Sequence, residues 1–177
     1  MVYKFRKAVG NDLNSIFQLY KDRIDWMNRL KLNQWNKTNY LDAYDINYFH
    51  TQINKPNLYV VEDTINNTIV GAVVLLNEDD MWKNNAYLKS YYIHNLVTSP
   101  NKKGIGIFIL NAIEVLAKNN GIETLRLDCA EDNYFLNQYY ESKGYIAVDK
   151  CKDGLYYGIK REKILLSKSV KILHDYK

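Results

Sequence analysis

The sequence predicts an α/β domain whose sheet contains a parallel crossover. Three observations carry that reading. Between positions 91 and 149, β-rich and helical patterns alternate as strand, helix, strand, helix, strand, the order of a parallel crossover. The 177 residues, 47% hydrophobic and 25% charged, have the size and composition of one globular domain. Two prolines and eight glycines leave no room for a Pro- or Gly-rich linker, and no internal repeat is visible.

Val2 to Ala8 alternates as a short strand. Asn11 or Asp12 then caps a helix whose apolar stripe is Leu13, Ile16, Phe17, Tyr20, Ile24 and Met27. A second helical pattern runs from Tyr40 to Ile53. Residues 58–63 and 69–77 are β-rich, and the Asn66-Asn67 pair between them suits a hairpin turn. Residues 91–98 make a long, almost unbroken strand. The next helix carries Ile105, Phe108, Ile109, Ala112, Ile113 and Leu116 on one face and Asn111, Glu114 and Lys118 opposite, with Gly121 as its C-terminal cap. Residues 124–128 read as a strand, 132–142 as a helix, and 145–149 and 154–165 as strands. The segment after Ser167 fits either a short helix or coil.

The formal net charge of +4 is concentrated at one end. Residues 160–177 hold six Lys or Arg against two acids, and the remainder is neutral. A nucleic-acid binder spreads basic charge over a face that follows phosphates. A terminal cluster is a solvated end, so no nucleic-acid partner is expected. Cys129 and Cys151 are too few and too far apart for a metal or redox pair, and Cys129 reads as a small apolar core residue. No metal is expected. VYKFRKA after Met1 lacks a signal peptide's apolar region, and no run approaches ~18 apolar residues. A cytoplasmic protein with no membrane partner is expected.

Ser99-Pro100-Asn101-Lys102-Lys103-Gly104-Ile105-Gly106 joins a strand to a helix. The first N–H groups of a helix lack intrahelical partners, and its dipole favours an anion there. Glycines let a phosphate approach the backbone, and Lys102 and Lys103 add positive charge. A dinucleotide fingerprint would need a third glycine at position 109, where Ile109 stands, and no Gly-Lys-Ser/Thr exists for a Walker loop.

The spacing Asn101-Lys102-Lys103-Gly104-Ile105-Gly106 resembles the acetyl-CoA loop of the GNAT (Gcn5-related) N-acetyltransferase family, Gln/Arg-x-x-Gly-x-Gly/Ala. It matches at both glycines and departs at Asn101. Upstream, His94-Asn95-Leu96-Val97 with Ser99-Pro100 resembles the family's strand into that loop. Downstream, Asn133-x-x-Leu136-x-x-Tyr139-Tyr140-x-x-x-Gly144-Tyr145 resembles its second signature, Asn-x-x-Ala-x-x-Leu/Phe-Tyr-x-x-x-Gly-Phe. The resemblance covers most of the chain and implies a GNAT fold: a central mixed, twisted sheet of about seven strands flanked by about four helices. Residues 1–166 would form the acetyltransferase domain and 167–177 a short basic tail.

Moving an acetyl group from a thioester to an amine asks for a neutral amine, a stabilised oxyanion and a proton for the departing thiolate. The resemblance implies acetyl-CoA as cosubstrate, its pantetheine arm between the strands 91–98 and 124–128. Leu96 and Val97 would offer backbone to the thioester, and Asn101, Lys102, Lys103, Gly104, Ile105, Gly106 and Ile107 would hold the pyrophosphate. Tyr140 matches the family's general acid near the sulfur, and a phenol of pKa ~10 suits that task. Tyr139, in the slot of a family Leu or Phe, is assigned to the core. Asn133 either contacts the cosubstrate or only caps its helix. His94 is a base on the strand or a packed residue facing away, and a water relay is the alternative. Asp79, in the run Glu78-Asp79-Asp80, belongs to a solvated turn or draws a cationic amine to the pocket.

Trp26 and Trp35 resemble a pattern of small bacterial members and would line the acceptor pocket or pack the first helix. A small-molecule primary amine is the expected acceptor. A protein amine, or a non-catalytic acyl-CoA-binding module, is the rival, and the retained Tyr140 favours an enzyme. Tyr156, Tyr157, Ile159, Leu165 and Leu166 offer apolar surface through which two copies could pair as a homodimer, as many proteins of this fold do.

Overall fold

The computed structural model describes residues 2–32, 34–85, 88–154 and 156–165. The chain order is β1 (Tyr3–Lys7), α1 (Leu13–Arg29), α2 (Tyr40–Ala43), α3 (Ile46–Asn54), β2 (Leu58–Asp63), β3 (Thr68–Leu76), β4 (Ser90–Thr98), α4 (Ile105–Asn119), β5 (Thr124–Ala130), α5 (Tyr134–Ser142), β6 (Ile146–Asp153) and β7 (Tyr156–Ile164). The strands form one mixed sheet in the order β1-β2-β3-β4-β5-β7-β6. Among the described strands only β4 and β5 pair in parallel; the other neighbours are antiparallel.

Five α-helices are present among the described residues, where about four were expected. The pattern from Tyr40 to Ile53 divides because Asp45 leaves helical geometry and caps α3, its carboxylate accepting from the Tyr48 N–H at 2.8 Å. Neither Asn11 nor Asp12 caps α1 through its side chain. Asp12 instead accepts from the Val9 N–H at 2.8 Å and pairs with Arg6 at 2.7 Å, after a single 3₁₀ turn over Gly10–Asp12.

Strand alternation divides the core between the two faces of the sheet. On one, Ile93, Leu125, Leu127 and Cys129 meet Ile105, Ile109, Ile113 and Tyr140 from α4 and α5. On the other, Val60, Ala72 and Val74 meet Ile16, Tyr20 and Phe49 from α1 and α3. At Gly71 a Cβ would lie 2.8 Å from Ile105 Cγ2, so the missing side chain lets the start of α4 sit against β3.

The hairpin between β2 and β3 turns at Asn67, whose φ of +51° is left-handed. Asp63 holds its base. The Asn66 amide, Lys102 Nζ at 3.2 Å and the Ile65 N–H bring its carboxyl down to about 2. A lowered folded pKa means stability that is present above the ordinary carboxylate value of ~3.9 and lost as pH falls through about 2. Asp63→Asn is therefore expected to lower Tm at neutral pH, and thermal melts should show the gap closing between about pH 4 and 2.

Two of the six basic residues in the C-terminal cluster do not belong to a solvated end. Arg161 in β7 is buried, bonded to Asn137 Oδ1 at 3.0 Å and to the Tyr145 carbonyl at 3.0 Å, while Lys163 pairs with Glu114. The apolar surface expected near the last strand is also smaller. The Tyr156 hydroxyl donates inward to Asp128 at 2.5 Å and Leu165 is buried, although Tyr157 stays 53% exposed. Leu166 and the 167–177 tail lie outside the described residues. No helix among those described is long and apolar enough to cross a membrane.

Candidate active site

The parallel pair β4–β5 is short. Ser90, Tyr91 and Tyr92 face Thr124, Leu125 and Arg126, and beyond those pairs the strands part while each continues, β4 to Thr98 and β5 to Ala130. Backbone groups on the two facing edges are then left without a strand partner, and buried N–H and C=O groups require partners. A gap of this kind suits an extended, amide-containing ligand.

Strand β4 is continuous from Ser90 to Thr98, as expected, but its pairing with β3 is irregular. Ala72 pairs with Val97 and Val74 with His94, so β4 spends three steps where β3 spends two. The extra residue is a bulge at Asn95, with a left-handed φ of +52°. Leu96 packs towards the α4–α5 face and Val97 is buried on the α1–α3 face.

At the end of β4 the loop turns on a Lys102 N–H to Ser99 carbonyl bond of 3.3 Å, so that N–H is already engaged. Gly104 follows with φ +83°, its carbonyl accepting the first helical bond, from the Phe108 N–H at 3.1 Å. The N–H groups of Ile105, Gly106 and Ile107 form the first turn of the 15-residue α4 and have no intrahelical partners. Among the described residues nothing lies within 4 Å of where a Gly104 Cβ would stand. The cradle fits an anion, with a narrower donor set than Lys102 to Ile107. The Lys102 ammonium is turned to Asp63, whereas Lys103 and Asn101 are exposed.

Tyr140 on α5 is 7% exposed, in the same core cluster as Cys129 on the parted end of β5. Its hydroxyl has no hydrogen-bond partner among the described residues. Burial, then Cys129, Tyr139 and Asp128, pushes its pKa well above that of a free phenol, so it holds its proton. Tyr139 packs against the same core cluster, as expected, without being fully enclosed by it. It is half-buried, and its hydroxyl would lie 3.4 Å from a Cβ on Gly106, beside the first turn of α4. Asn133 caps α5, accepting from the Leu136 N–H at 3.0 Å.

On the opposite face, His94 Nε2 lies 3.0 Å from Asp79 Oδ2. Asp79 is turned inward because it starts a 3₁₀ turn, accepting from the Met81 N–H at 2.8 Å; Glu78 and Asp80 stay in solvent. Burial works to raise the Asp79 carboxyl, but the His94 and Met81 hydrogen bonds and the charges of His94 and Lys160 outweigh it, leaving it below its ordinary value. Asp128, the next inward residue of β5 beyond Arg126, accepts from Tyr156. Burial, then the charges of Asp128, Asp153 and Asp79, raises the Tyr44 phenol.

A family model described as the acetyltransferase (GNAT) family matches residues 18–145, from α1 through the end of α5. The chain belongs to the GNAT acetyltransferase family. Bacillus subtilis (strain 168) has a relative named uncharacterized N-acetyltransferase YesJ, 28% identical over 145 residues, which are 78% of each chain. A GNAT-family acetyltransferase of Listeria monocytogenes 4b F2365 superposes with a TM-score of 0.77 at 24% identity, over 92% of this chain and 95% of that one. The PaiA N-acetyltransferase of Thermoplasma acidophilum, solved in complex with coenzyme A, gives 0.72 at 18% identity, over 93% and 100%. At these identities the two structures attest the fold, which is the GNAT fold expected from the two signatures.

Within this GNAT fold the expected residues divide into two groups at the β4–β5 opening. Ile105, Leu96 and Tyr140 belong to the α4–α5 side, whereas Asn101 lines a hollow with Asp22, Asp25 and Arg29 of α1, and His94 and Asp79 belong to the α1–α3 side. Trp35 joins the second group, stacked on Tyr40 at 4.4 Å, with Tyr44 next at 4.7 Å from Tyr40. Trp26 stands apart, under the Arg23 guanidinium that bonds the Thr98 carbonyl. Sequence reasoning missed Asn95, Asp128, Tyr44 and Tyr156, and also buried Trp82, which packs against Tyr92 and Arg126. Strand alternation from Arg126 would have turned Asp128 to the same face as His94; the tyrosines carry no such signal among sixteen.

Proposed function

We propose that this enzyme is an acetyl-CoA-dependent N-acetyltransferase that modifies a primary amine of a small molecule by direct attack. The observation that carries the reading is the parting of β4 and β5 between Tyr140 on one face and the His94–Asp79 pair on the other. The free N–H groups of Ile105, Gly106 and Ile107 and the open space over Gly104 fit the pyrophosphate of acetyl-CoA. Asn101, Lys103 and the Asn133 amide nitrogen would stand beside it. Bound acetyl-CoA supplies the acetyl group as a thioester.

The chain's own residues supply the rest. The backbone at Leu96 and Val97 donates to the developing oxyanion. Asp79 accepts from His94 Nε2, which leaves Nδ1 as the acceptor of the amine proton. Tyr140 gives its proton to the leaving sulfur. Asp79, Asp128 and Asp153 attract an ammonium group, and the Trp35–Tyr40–Tyr44 stack flanks the approach of a small amine. Residues 1–166 are the catalytic domain of a cytoplasmic enzyme, 167–177 a basic tail, and two copies pair along the C-terminal strands.

Release of CoA thiol over a panel of polyamines, aminoglycosides, amino acids and peptides tests the acceptor. Turnover with a small cationic amine is expected, and turnover with peptides alone overturns that choice. A separate test addresses the cradle. Gly104→Val puts a β-branched side chain at a left-handed φ and over the phosphate position. Calorimetry on the folded variant should show acetyl-CoA binding weakened at least about tenfold, or about 1.4 kcal/mol. Unchanged affinity removes the loop from the binding site.

A further inference from the structure

We propose that Asn95 is a positioning residue for acetyl transfer, held by the hydroxyls of Tyr20, Tyr40 and Tyr48 so that the bulge keeps the acyl strand β4 in register. The inference rests on the reading that the acyl oxygen lies against the Leu96–Val97 backbone.

Three hydroxyls from three helices meet on this one residue. Tyr20 of α1 donates to the Asn95 carbonyl. Tyr48 of α3 donates to its Oδ1 at 2.9 Å, and its Nδ2 donates to the Tyr40 hydroxyl of α2 at 2.5 Å. Tyr20 and Tyr40 are buried, where a hydroxyl requires a partner, and burial holds their protons on. Asn is among the few residues that tolerate a left-handed φ, and its amide can accept and donate at once.

The clamp acts where β4 needs it. Beyond Tyr92 the strand has lost β5 as a neighbour, and β3 alone holds it by backbone bonds. Side chains alternate along a strand, so a slip of one residue would exchange the faces of Leu96 and Val97 and turn their peptide groups with them. The bulge sets that register, and the three hydroxyls fix the bulge from the helices that carry the acceptor side. Asn95 touches neither substrate in this arrangement; it acts through the backbone that follows it.

The test uses the full chain, acetyl-CoA, and the acceptor with the highest turnover in the panel. Asn95→Gly keeps the left-handed backbone and removes both side-chain ties, and Tyr48→Phe removes one tie and keeps its ring. Each variant is expected to lower kcat by about tenfold or more, the scale of one hydrogen bond, with acetyl-CoA affinity held within a few-fold. In the Asn95→Gly background, Tyr48→Phe should cost nothing further, because both act through one residue. Tyr59→Phe, on β2 away from the bulge, should leave kcat unchanged. Full kcat in either variant, or independent additive losses, overturns the clamp. Absence of acetyl-CoA binding by the wild-type chain is a different result, and it overturns the underlying reading together with the clamp.

Discussion

Tyr140→Phe is expected to lower kcat by about 10²–10⁴-fold while acetyl-CoA binds with nearly unchanged affinity. The side chain is buried on α5 against the parted end of β5, and its hydroxyl has no other partner among the described residues. Removing only the oxygen keeps the ring contacts with Tyr139 and Tyr145, so the fold should be almost unaffected. Burial raises the phenol's pKa, so the proton stays on it at neutral pH and the donor is present in every turnover. Tyr139→Phe should keep kcat within a few-fold, because the variant retains the ring's packing against the core. Single-turnover rates separate chemistry from product release. A near-full rate for Tyr140→Phe would sink the general-acid role and leave water to protonate the thiolate.

His94→Gln is expected to cost a comparable factor, about 10²–10⁴ in kcat, for loss of the base. His94→Ala removes the imidazole, and added imidazole should restore part of its rate in proportion to concentration. Failure of rescue, together with a His94→Gln rate near wild type, would return proton removal to water. Asp79→Ala should have a smaller effect, about tenfold, because in the proposed mechanism it only orients the ring and His94 takes the proton from the amine. The lowered pKa of Asp79 gives the sign of the pH effect. Its carboxylate is present above the ordinary Asp range, and acidification through its lowered pKa removes both the orientation of His94 and the associated stability.

Much of the fold was legible in local signals. Apolar spacing of 3.6 along 105–117 marks α4, Gly121 closes it with a φ of +66°, and the Asn66-Asn67 turn carries the expected left-handed residue. These features depend on a few neighbouring residues, and local sequence is enough to read them. The anion cradle is of the same kind, since a glycine before an amphipathic helix leaves free N–H groups wherever it occurs. Asn133 could be read only as far as its alternatives, because capping a helix and contacting a ligand call for the same side chain.

What the sequence by itself determined was the order of elements, the family signatures and the loop that suits a phosphate. Tertiary structure alone decided which residues share the opening between β4 and β5. Asp79 and His94 are brought together by a 3₁₀ turn that no periodicity announces. Tyr20 reaches Asn95 across 75 residues, and Tyr40 and Tyr48 across 55 and 47. Arg161 becomes a buried ligand of Asn137 although the charge pattern around it is that of a solvated end. Such pairs form only when helices from one part of the chain dock on strands from another. Their free energy comes from burying groups that are exposed in any isolated segment, so no segment read alone contains it.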